Sequence, residues 1–410
     1  MANVFDVLAA RGFVKDVSDE QGLRLALERP ITLYVGYDPT APSLHIGHLL
    51  TIMALTWMQR FGHRPIALVG GGTGLIGDPT GRTVSRPVLT YEQIEENLKG
   101  LKRQLQRYLD FSDGRALMVN NAEWLTKLKY IEFLRDVGVH FSVNQMLATE
   151  TYRTKLESDA GLNFVEFNYQ LLQAYDFLQL YRDYGCVLQC GGSDQWANSL
   201  AGAELIRRIE GGQAYVMVFP LLTTASGAKM GKTEAGTVWL DSELTSPYQF
   251  YQFWINTEDP DVERFLALFT HLPMEEVQAL GRLKGADIRK AKEVLAFEAT
   301  KITHGEEAAK EAQAASRALF GGGEGSLEGA PTTEIGAAEL AEGIPVPQLF
   351  AMVGLVGSRG EARRLIQQGG AYVNGDRIAS ADQVITPHDL VEGSLFLRAG
   401  KKKYHRVLVK

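Results

Sequence analysis

An α/β fold built on a mostly parallel sheet is predicted by two features of the 410-residue sequence. Five apolar, β-rich runs, at 31–36, 66–69, 116–119, 187–189 and 215–218, alternate with helix-period stretches at 91–110, 122–137, 166–184 and 195–210. That alternation argues for parallel strands covered by helices on both faces. Gly36, Gly70 and Gly191 also fall at the carboxyl ends of three runs, where such sheets bind ligands.

Residues 1–30 read as short amphipathic helices ending at Pro30. The opening strand, Ile31 to Gly36, stops at a loop punctuated by Pro39 and Pro42. A helix pattern starts near Ser43, with Leu44, Leu49, Ile52 and Leu55 on its apolar positions. His45 and His48, three apart, share one face of its first turn. Unpaired N–H groups and a partial positive charge suit that turn to phosphate. Gly47 removes a side chain where a flat ligand would approach. The stretch reads as half of a nucleotide site.

Three further loops carry chemistry. Gly72-Thr-Gly-Leu-Ile-Gly77 matches a dinucleotide fingerprint, but Asp78-Pro-Thr-Gly81 breaks the helix that fingerprint needs. It reads instead as backbone passing close to a ligand, with Asp78 projecting. Gly191-Gly-Ser-Asp-Gln195 lacks the glycine that a nucleophile elbow places two residues after its serine. Two glycines ahead of Asp194 at a strand end suit a ribose hydroxyl. Lys229-Met-Gly-Lys232-Thr233, between Gly227 and Gly236, would clamp a charge-rich phosphoryl transition state. His45 and His48 as a metal pair lack a third ligand nearby.

The chain is long enough for two or three domains. From Pro247 to Phe320 the pattern is helical throughout, as for a separate helical domain. Residues 321–345 hold five glutamates and no Lys or Arg, and read as an acidic, Gly-rich linker. Residues 346–410 form a compact piece with a helix–turn–strand pattern. The net charge of −7 advertises no overall basic field, yet this last piece has ten Lys+Arg against five Asp+Glu. A basic tail on an acidic body points to a local RNA- or DNA-binding module. Cys186 and Cys190 read as buried thiols of a reducing compartment, too few for zinc. With no signal peptide or membrane-length apolar run in view, a cytoplasmic location is expected.

Taken together, His45-Ile-Gly-His48 and Lys229-Met-Gly-Lys232-Thr233 resemble the two signatures of class I aminoacyl-tRNA synthetases, with Gly231 and Thr233 as in the bacterial tyrosyl enzymes. The resemblance runs through Y-V-G-Y-D-P-T, G-L-I-G-D-P-T-G-R, N-Y-Q-L-L-Q-A-Y-D-F, G-G-S-D-Q-W and S-P-Y-Q-F-Y-Q-F-W, covering nearly the whole chain. It implies a Rossmann-like catalytic domain (1–246), an all-α anticodon-binding domain (247–320), the linker (321–345), and a small α+β RNA-binding domain of the ribosomal S-four type (346–410). It implies a tyrosine–tRNA ligase, using ATP with Mg2+ and no protein-bound zinc, acting on tRNA(Tyr) as a homodimer with 122–165 as the subunit contact.

Carried over by that resemblance, Tyr34 and Asp176 hold the substrate phenol, and Asp78, Tyr169 and Gln173 surround its ammonium. Tyr169, Gln173 and Asp176 are spaced to share one helix stripe. Gln195 lies near the carboxylate. Gly36, Asp38, Gly47, Thr51, Gly192, Asp194 and Lys232 match nucleotide-binding positions. Thr40, His45, His48, Lys229, Lys232 and Thr233 are expected to stabilise the transferring phosphates, with Arg82 and Arg86 adding to that clamp. Val35 offers no side-chain hydrogen bond where some relatives place a cysteine. Arg359, Arg363 and Arg364 would contact RNA phosphates, with Lys401, Lys402, Lys403 and Arg406 nearby. The sister tryptophan ligases would not need both Tyr34 and Asp176. An inactive RNA-binding relative would show eroded signatures, and both are intact here.

Overall fold

The computed structural model describes residues 3–80, 89–159, 161–227, 230–233, 236–320, 331–391, 393–400 and 403–410, with backbone alone at 232–233, 318–320 and 403. Arg82, Arg86, Lys229, Lys401 and Lys402 lie outside the described residues. Two compact units emerge: residues 1–245 with 253–303, and residues 246–252 with 304–410.

The first unit opens with helices α1 (Val4–Ala10) and α2 (Glu20–Ala26) around a short strand β1 (Asp16–Val17). Then come β2 (Thr32–Tyr37), α3 (Ile46–Arg60), β3 (Arg64–Val69), α4 (Tyr91–Tyr108) and β4 (Leu117–Asn120). Short helices α5 (Ala122–Leu125), α6 (Tyr130–Asp136), α7 (Val143–Leu147) and α8 (Glu150–Glu157) lead to the long α9 (Phe164–Tyr184). Strand β5 (Cys186–Gly192), helix α10 (Trp196–Glu210) and β6 (Tyr215–Phe219) complete the layer.

The sheet order is β1-β6-β5-β2-β3-β4, with β2 parallel to both β5 and β3. The chain runs outward through β3 and β4, then returns to the other side of β2 as β5. That reversal creates a crevice at the carboxyl ends of β2 and β5, where ligands bind in open sheets. Strand β2 is buried except at Gly36, as a central strand covered on both faces must be. Strand β1, absent from the sequence reading, is two residues long and pairs antiparallel at the edge beyond β6.

The single helix expected over 122–137 is divided into α5 and α6. Lys129 is extended (φ −91°, ψ 125°), and the Trp124 indole turns inward to Asp176 instead of following a helix stripe. Helix α9 is bounded as its sequence implies. Asn163 caps the Glu166 N–H at its start, and Gly185 ends it in the left-handed region (φ 62°) that glycine tolerates.

Beyond the sheet, strands β7 (Lys232–Thr233) and β8 (Gly236–Thr237) form a hairpin, followed by α11 (Pro247–Ile255), α12 (Val262–Phe269), α13 (Met274–Gly281), α14 (Ile288–His304) and α15 (Glu306–Phe320). This segment is helical, as read from the sequence, but the division into units falls inside it. In the first unit the buried Arg11 donates to the Ala267 and Thr270 carbonyls at 2.8 and 3.1 Å, satisfying the C-terminus of α12. Its guanidinium also lies 4.1 Å from the Trp57 ring.

The second unit continues with β9 (Thr332–Ile335), α16 (Ala337–Ala341), β10 (Ile344–Pro345), α17 (Val346–Met352), α18 (Arg359–Gln367), β11 (Ala371–Val373), β12 (Asp376–Arg377), β13 (Val384–Ile385), β14 (Ser394–Ala399) and β15 (Lys403–Val409). Its main sheet runs β12-β11-β14-β15-β9. Residues 332–345, read from composition as linker, are therefore folded. Strand β9 pairs in parallel with β15, and Ile335, Leu340 and Ile344 enter the same core as Leu349, Phe350, Ile366 and Leu397. Glutamates at 334, 339 and 342 point outward, so the composition looked like linker while every few residues an apolar side chain was buried.

Candidate functional site

Tyr34 lies mid-β2, 1 % exposed, with its ring 5.3 Å from Phe177. Its hydroxyl is buried and finds no hydrogen-bond partner among the described residues. Burial, then the Asp176 charge, pushes its pKa well above the ordinary tyrosine value. Asp176, 2 % exposed on α9, accepts from Asn121 Nδ2 at 2.9 Å and Trp124 Nε1 at 2.7 Å. Burial raises its carboxyl to about 7 against the opposing pull of those two donors.

The same helix face carries Tyr169 and Gln173. Tyr169 donates to Asp38 Oδ2 at 2.9 Å, and Asp38 Oδ1 accepts from Thr73 Oγ1 at 2.7 Å. Asn121 ties the network shut: its Nδ2 also reaches Thr73 Oγ1, and its Oδ1 accepts from the Gly72 N–H at 2.8 Å. Gly70 is required by this crowding. A Cβ at Gly70 would collide with Asp38 and Thr73.

Asp78 follows that loop and accepts from Thr80 N–H at 2.9 Å and Gln195 Nε2 at 2.7 Å. Asn198 Nδ2 lies 3.3 Å from Gln195 Oε1 and 3.1 Å from Gln173 Oε1. Of the residues expected at an amino-acid pocket, Tyr34, Asp78, Tyr169 and Asp176 are buried, while Gln173 and Gln195 are half-buried.

The neighbouring edge is built differently. His45 is the N-cap of α3; its Nδ1 accepts from the Gly47 N–H at 3.0 Å. His48 Nδ1 accepts in return from the His45 N–H at 3.2 Å, a reciprocal capping box made from two imidazoles with ring centroids 4.1 Å apart. Both rings are held by ring nitrogens that accept, leaving Nε2 to act as a donor. Thr51, one turn on, donates to the His48 carbonyl at 2.8 Å and sits 3.2 Å from the Tyr37 hydroxyl. Gly36, Thr40, Gly47 and Asp194 are exposed, and Gly192 is half-exposed beside Asp194.

The two signatures meet through backbone. Gly231 (φ +85°) accepts from the Val238 N–H at 3.0 Å, and Val238 accepts from the Ile46 N–H at 3.1 Å. A Cβ at Gly231 would come within 3.5 Å of Ile46 Cβ and 3.7 Å of Gly47 N. Lys232 and Thr233 belong to β7. In the second unit Arg359, Arg363 and Arg364 are exposed on α18, whose Ala362 and Ile366 enter the core. Arg406 is placed differently from the expected single patch. Its neighbour Val407 points into the core with α18, so Arg406 lies on the opposite sheet face, donating to Ser394 Oγ at 3.0 and 3.2 Å.

Sequence reasoning missed Thr73, Asn121, Trp124 and Asn198. Asn120-Asn121 at a strand end and Asn198 one helical turn after Gln195 were the available signals. Trp124 had none, because its use depends on the break between α5 and α6. Among the described residues no group of three or more His, Cys, Asp or Glu could hold a metal ion, and no helix is long and apolar enough to cross a membrane.

Residues 26–321 match the family model of the class I tRNA synthetases (W and Y), and residues 324–407 match that of the tyrosine–tRNA ligase SYY-like C-terminal domain. The chain is 56 % identical to a tyrosine–tRNA ligase of Desulfosudis oleivorans, over 100 % of this chain and 99 % of that one. It is 54 % identical to a tyrosine–tRNA ligase of Caldanaerobacter subterraneus subsp. tengcongensis, over the whole of both. Among solved structures it resembles a C-terminally truncated mitochondrial tyrosyl-tRNA synthetase of Aspergillus nidulans, with a TM-score of 0.71 and 31 % identity over 78 % of this chain and 95 % of that one.

Proposed function

The chain belongs to the class I tRNA synthetases of the tryptophan and tyrosine group, and from that premise we propose how its residues divide the work of a tyrosine–tRNA ligase. The reaction has two steps. The tyrosine carboxylate oxygen attacks the α-phosphorus of ATP, forming the acyl–phosphate bond as the bond to pyrophosphate breaks. A ribose hydroxyl of the terminal adenosine of tRNA(Tyr) then attacks the acyl carbon, and AMP leaves.

The observation that carries the choice of tyrosine is the buried Tyr34 hydroxyl, without a partner among the described residues and influenced by the charge of Asp176. A substrate phenol placed between them would donate to Asp176 and accept from Tyr34, satisfying both. Phenylalanine would leave the Tyr34 hydroxyl unpaired and Asp176 with Asn121 and Trp124 as its donors but no phenol, and tyrosine ligases are themselves the usual illustration of that rule. Tryptophan has no phenol to fill the gap. Asp78, Tyr169 and Gln173 surround the ammonium, and Gln195 the carboxylate.

The first step needs no side-chain nucleophile, so the protein's part is positioning and charge stabilisation. Asp38, Gly36, Gly47, Thr51, Gly192 and Asp194 line the nucleotide, whose phosphates lie at the N-terminus of α3. Thr40, His45, Lys229, Lys232 and Thr233, with Arg82 and Arg86, stabilise charge gathering on pyrophosphate, and His48 leans toward the ribose. Mg2+ would arrive on the phosphate oxygens, since hard cations favour them over a protein cage.

In the small S-four-type unit, Arg359, Arg363 and Arg364 contact the tRNA backbone, with Arg406 addressing it from another face and the lysines at 401–403 adding positive charge. Residues 247–320 serve the anticodon. An apolar surface of Tyr130, Ile131, Val139, Val143, Leu156 and Phe164, all exposed, supports a homodimer through the 122–165 region. The proposed location is the cytoplasm, in keeping with two free, buried cysteines.

Tyrosine-dependent exchange of pyrophosphate into ATP tests the reading directly: exchange is expected with tyrosine alone among the amino acids. No exchange with any of them leaves the rival, an inactive RNA-binding relative. Removing residues 321–410 should leave exchange intact while tRNA charging collapses; charging that survives would show that the tail is not the tRNA anchor.

A further inference from the structure

Asn198 touches more of the amino-acid pocket than any role so far assigned to it explains. It is 7 % exposed on α10, and its single Nδ2 faces three oxygens: Gln173 Oε1 at 3.1 Å, Gln195 Oε1 at 3.3 Å and Thr80 Oγ1 at 3.5 Å. The two ends of an amide differ only in what they offer a partner, so orientation follows from the network.

Here the network has a direction. The Asp78 carboxylate accepts only, so the Gln195 atom 2.7 Å from it must be Nε2. Gln195 then turns Oε1 to Asn198, which must answer with a nitrogen, since two oxygens at 3.3 Å would repel. The same nitrogen faces Gln173, which must therefore present Oε1 as well. Polarity passes from Asp78 through Gln195 and Asn198 to Gln173.

We propose that Asn198 is a positioning residue that holds the amide oxygen of Gln173 toward the ammonium end of the pocket, while Gln195 stays anchored by Asp78. The proposal rests on the tyrosine-ligase reading. The Gln173 amide oxygen has a second lone pair, so accepting from Asn198 leaves capacity to accept from a substrate ammonium. Without Asn198, Gln173 loses the donor that sets its orientation and can rotate its NH2 group inward, where it would face the ammonium donor to donor. Recognition of the amino group then depends on a residue that need not touch it.

The test compares ligands that carry one or both charged groups. Tyrosine has both, tyramine only the ammonium, and 3-(4-hydroxyphenyl)propionate only the carboxylate. Their dissociation constants would be measured by equilibrium dialysis on the full chain, on Asn198→Leu, which keeps the size without a donor, and on Asn198→Ser, which keeps a shorter donor. For Asn198→Leu we expect about tenfold or greater weakening of tyrosine and tyramine, the loss of one or two buried hydrogen bonds. Binding of 3-(4-hydroxyphenyl)propionate should stay within about twofold, which also certifies an intact pocket. Asn198→Ser should fall between. Equal weakening of all three ligands, or a loss confined to the carboxylate ligand, overturns the proposal. Should the leucine variant not fold, the same comparison on the serine variant decides. Failure of the unaltered chain to bind tyrosine counts against the ligase reading instead.

Discussion

The tyrosine pocket and the nucleotide edge share strand β2, yet they are held in opposite ways. In the pocket, Tyr169 is fixed on Asp38, and Asn121 on Thr73 and Asp176, by side-chain hydrogen bonds. At the edge, Gly36, Thr40 and Gly47 are exposed, and the imidazoles of His45 and His48 are seated by backbone N–H groups. The difference follows from the tasks. Selecting a phenol by one hydroxyl requires buried polar groups that keep bonding capacity for the substrate, and burial makes an unmade bond expensive. Stabilising a transferring phosphate requires donors and positive charge that can receive a hydrated, highly charged ligand.

The contrast breaks most sharply at Asp176. Asp176→Asn keeps the shape but removes the charge, and its amide must face Asn121 and Trp124, which both donate. A fall in kcat/KM for tyrosine of about a thousandfold is expected, from about 4 kcal/mol for a buried charged partner, with the ATP KM little changed. Equal losses for both substrates in steady-state exchange kinetics would refute the phenol assignment.

His45→Ala should show the reverse pattern at the edge. Loss of one donor to the developing pyrophosphate charge predicts a drop of about a hundredfold in the rate of adenylate formation. Tyrosine affinity, read from single-turnover kinetics, should be unaltered. A raised tyrosine KM would mean that the two regions are not separable at α3.

A smaller effect distinguishes them by pH. The Asp176 carboxyl stands at about 7 in the folded chain against the ordinary 3.8. Between those values the folded state binds a proton that the unfolded state does not, so this group's contribution to stability falls as pH rises from about 4 to 7. A phenol donating to the carboxylate favours its ionised form, so tyrosine binding should strengthen with pH through about 7. About a tenfold weaker affinity at pH 6 than at pH 8 is expected from that linkage. Asp176→Asn should lack the step, and calorimetric titration at both pH values would show whether it does.

The sequence displayed those parts of the molecule whose physics is local. Strand runs, the Gly-rich turns, the helix stripe of Tyr169, Gln173 and Asp176, and the α3 N-terminus with His45 and His48 all obey spacing rules. It misled where composition stood in for structure, as at 332–345, and where a helix pattern ran on through Lys129. It was silent about Thr73, Trp124 and Asn198, because each gains its meaning from a partner far along the chain.

Sequence by itself determined the layer order, the ligand-bearing strand ends and the two signatures, since period, glycine placement and helix capping act within a few residues. Only the tertiary structure decided which polar groups are buried together. It alone shows the Tyr34 hydroxyl left without a partner among the described residues, Asp176 raised by burial, and the one-way chain of amides from Asp78 to Gln173, because desolvation and hydrogen-bond polarity belong to neighbourhoods that the linear chain does not contain.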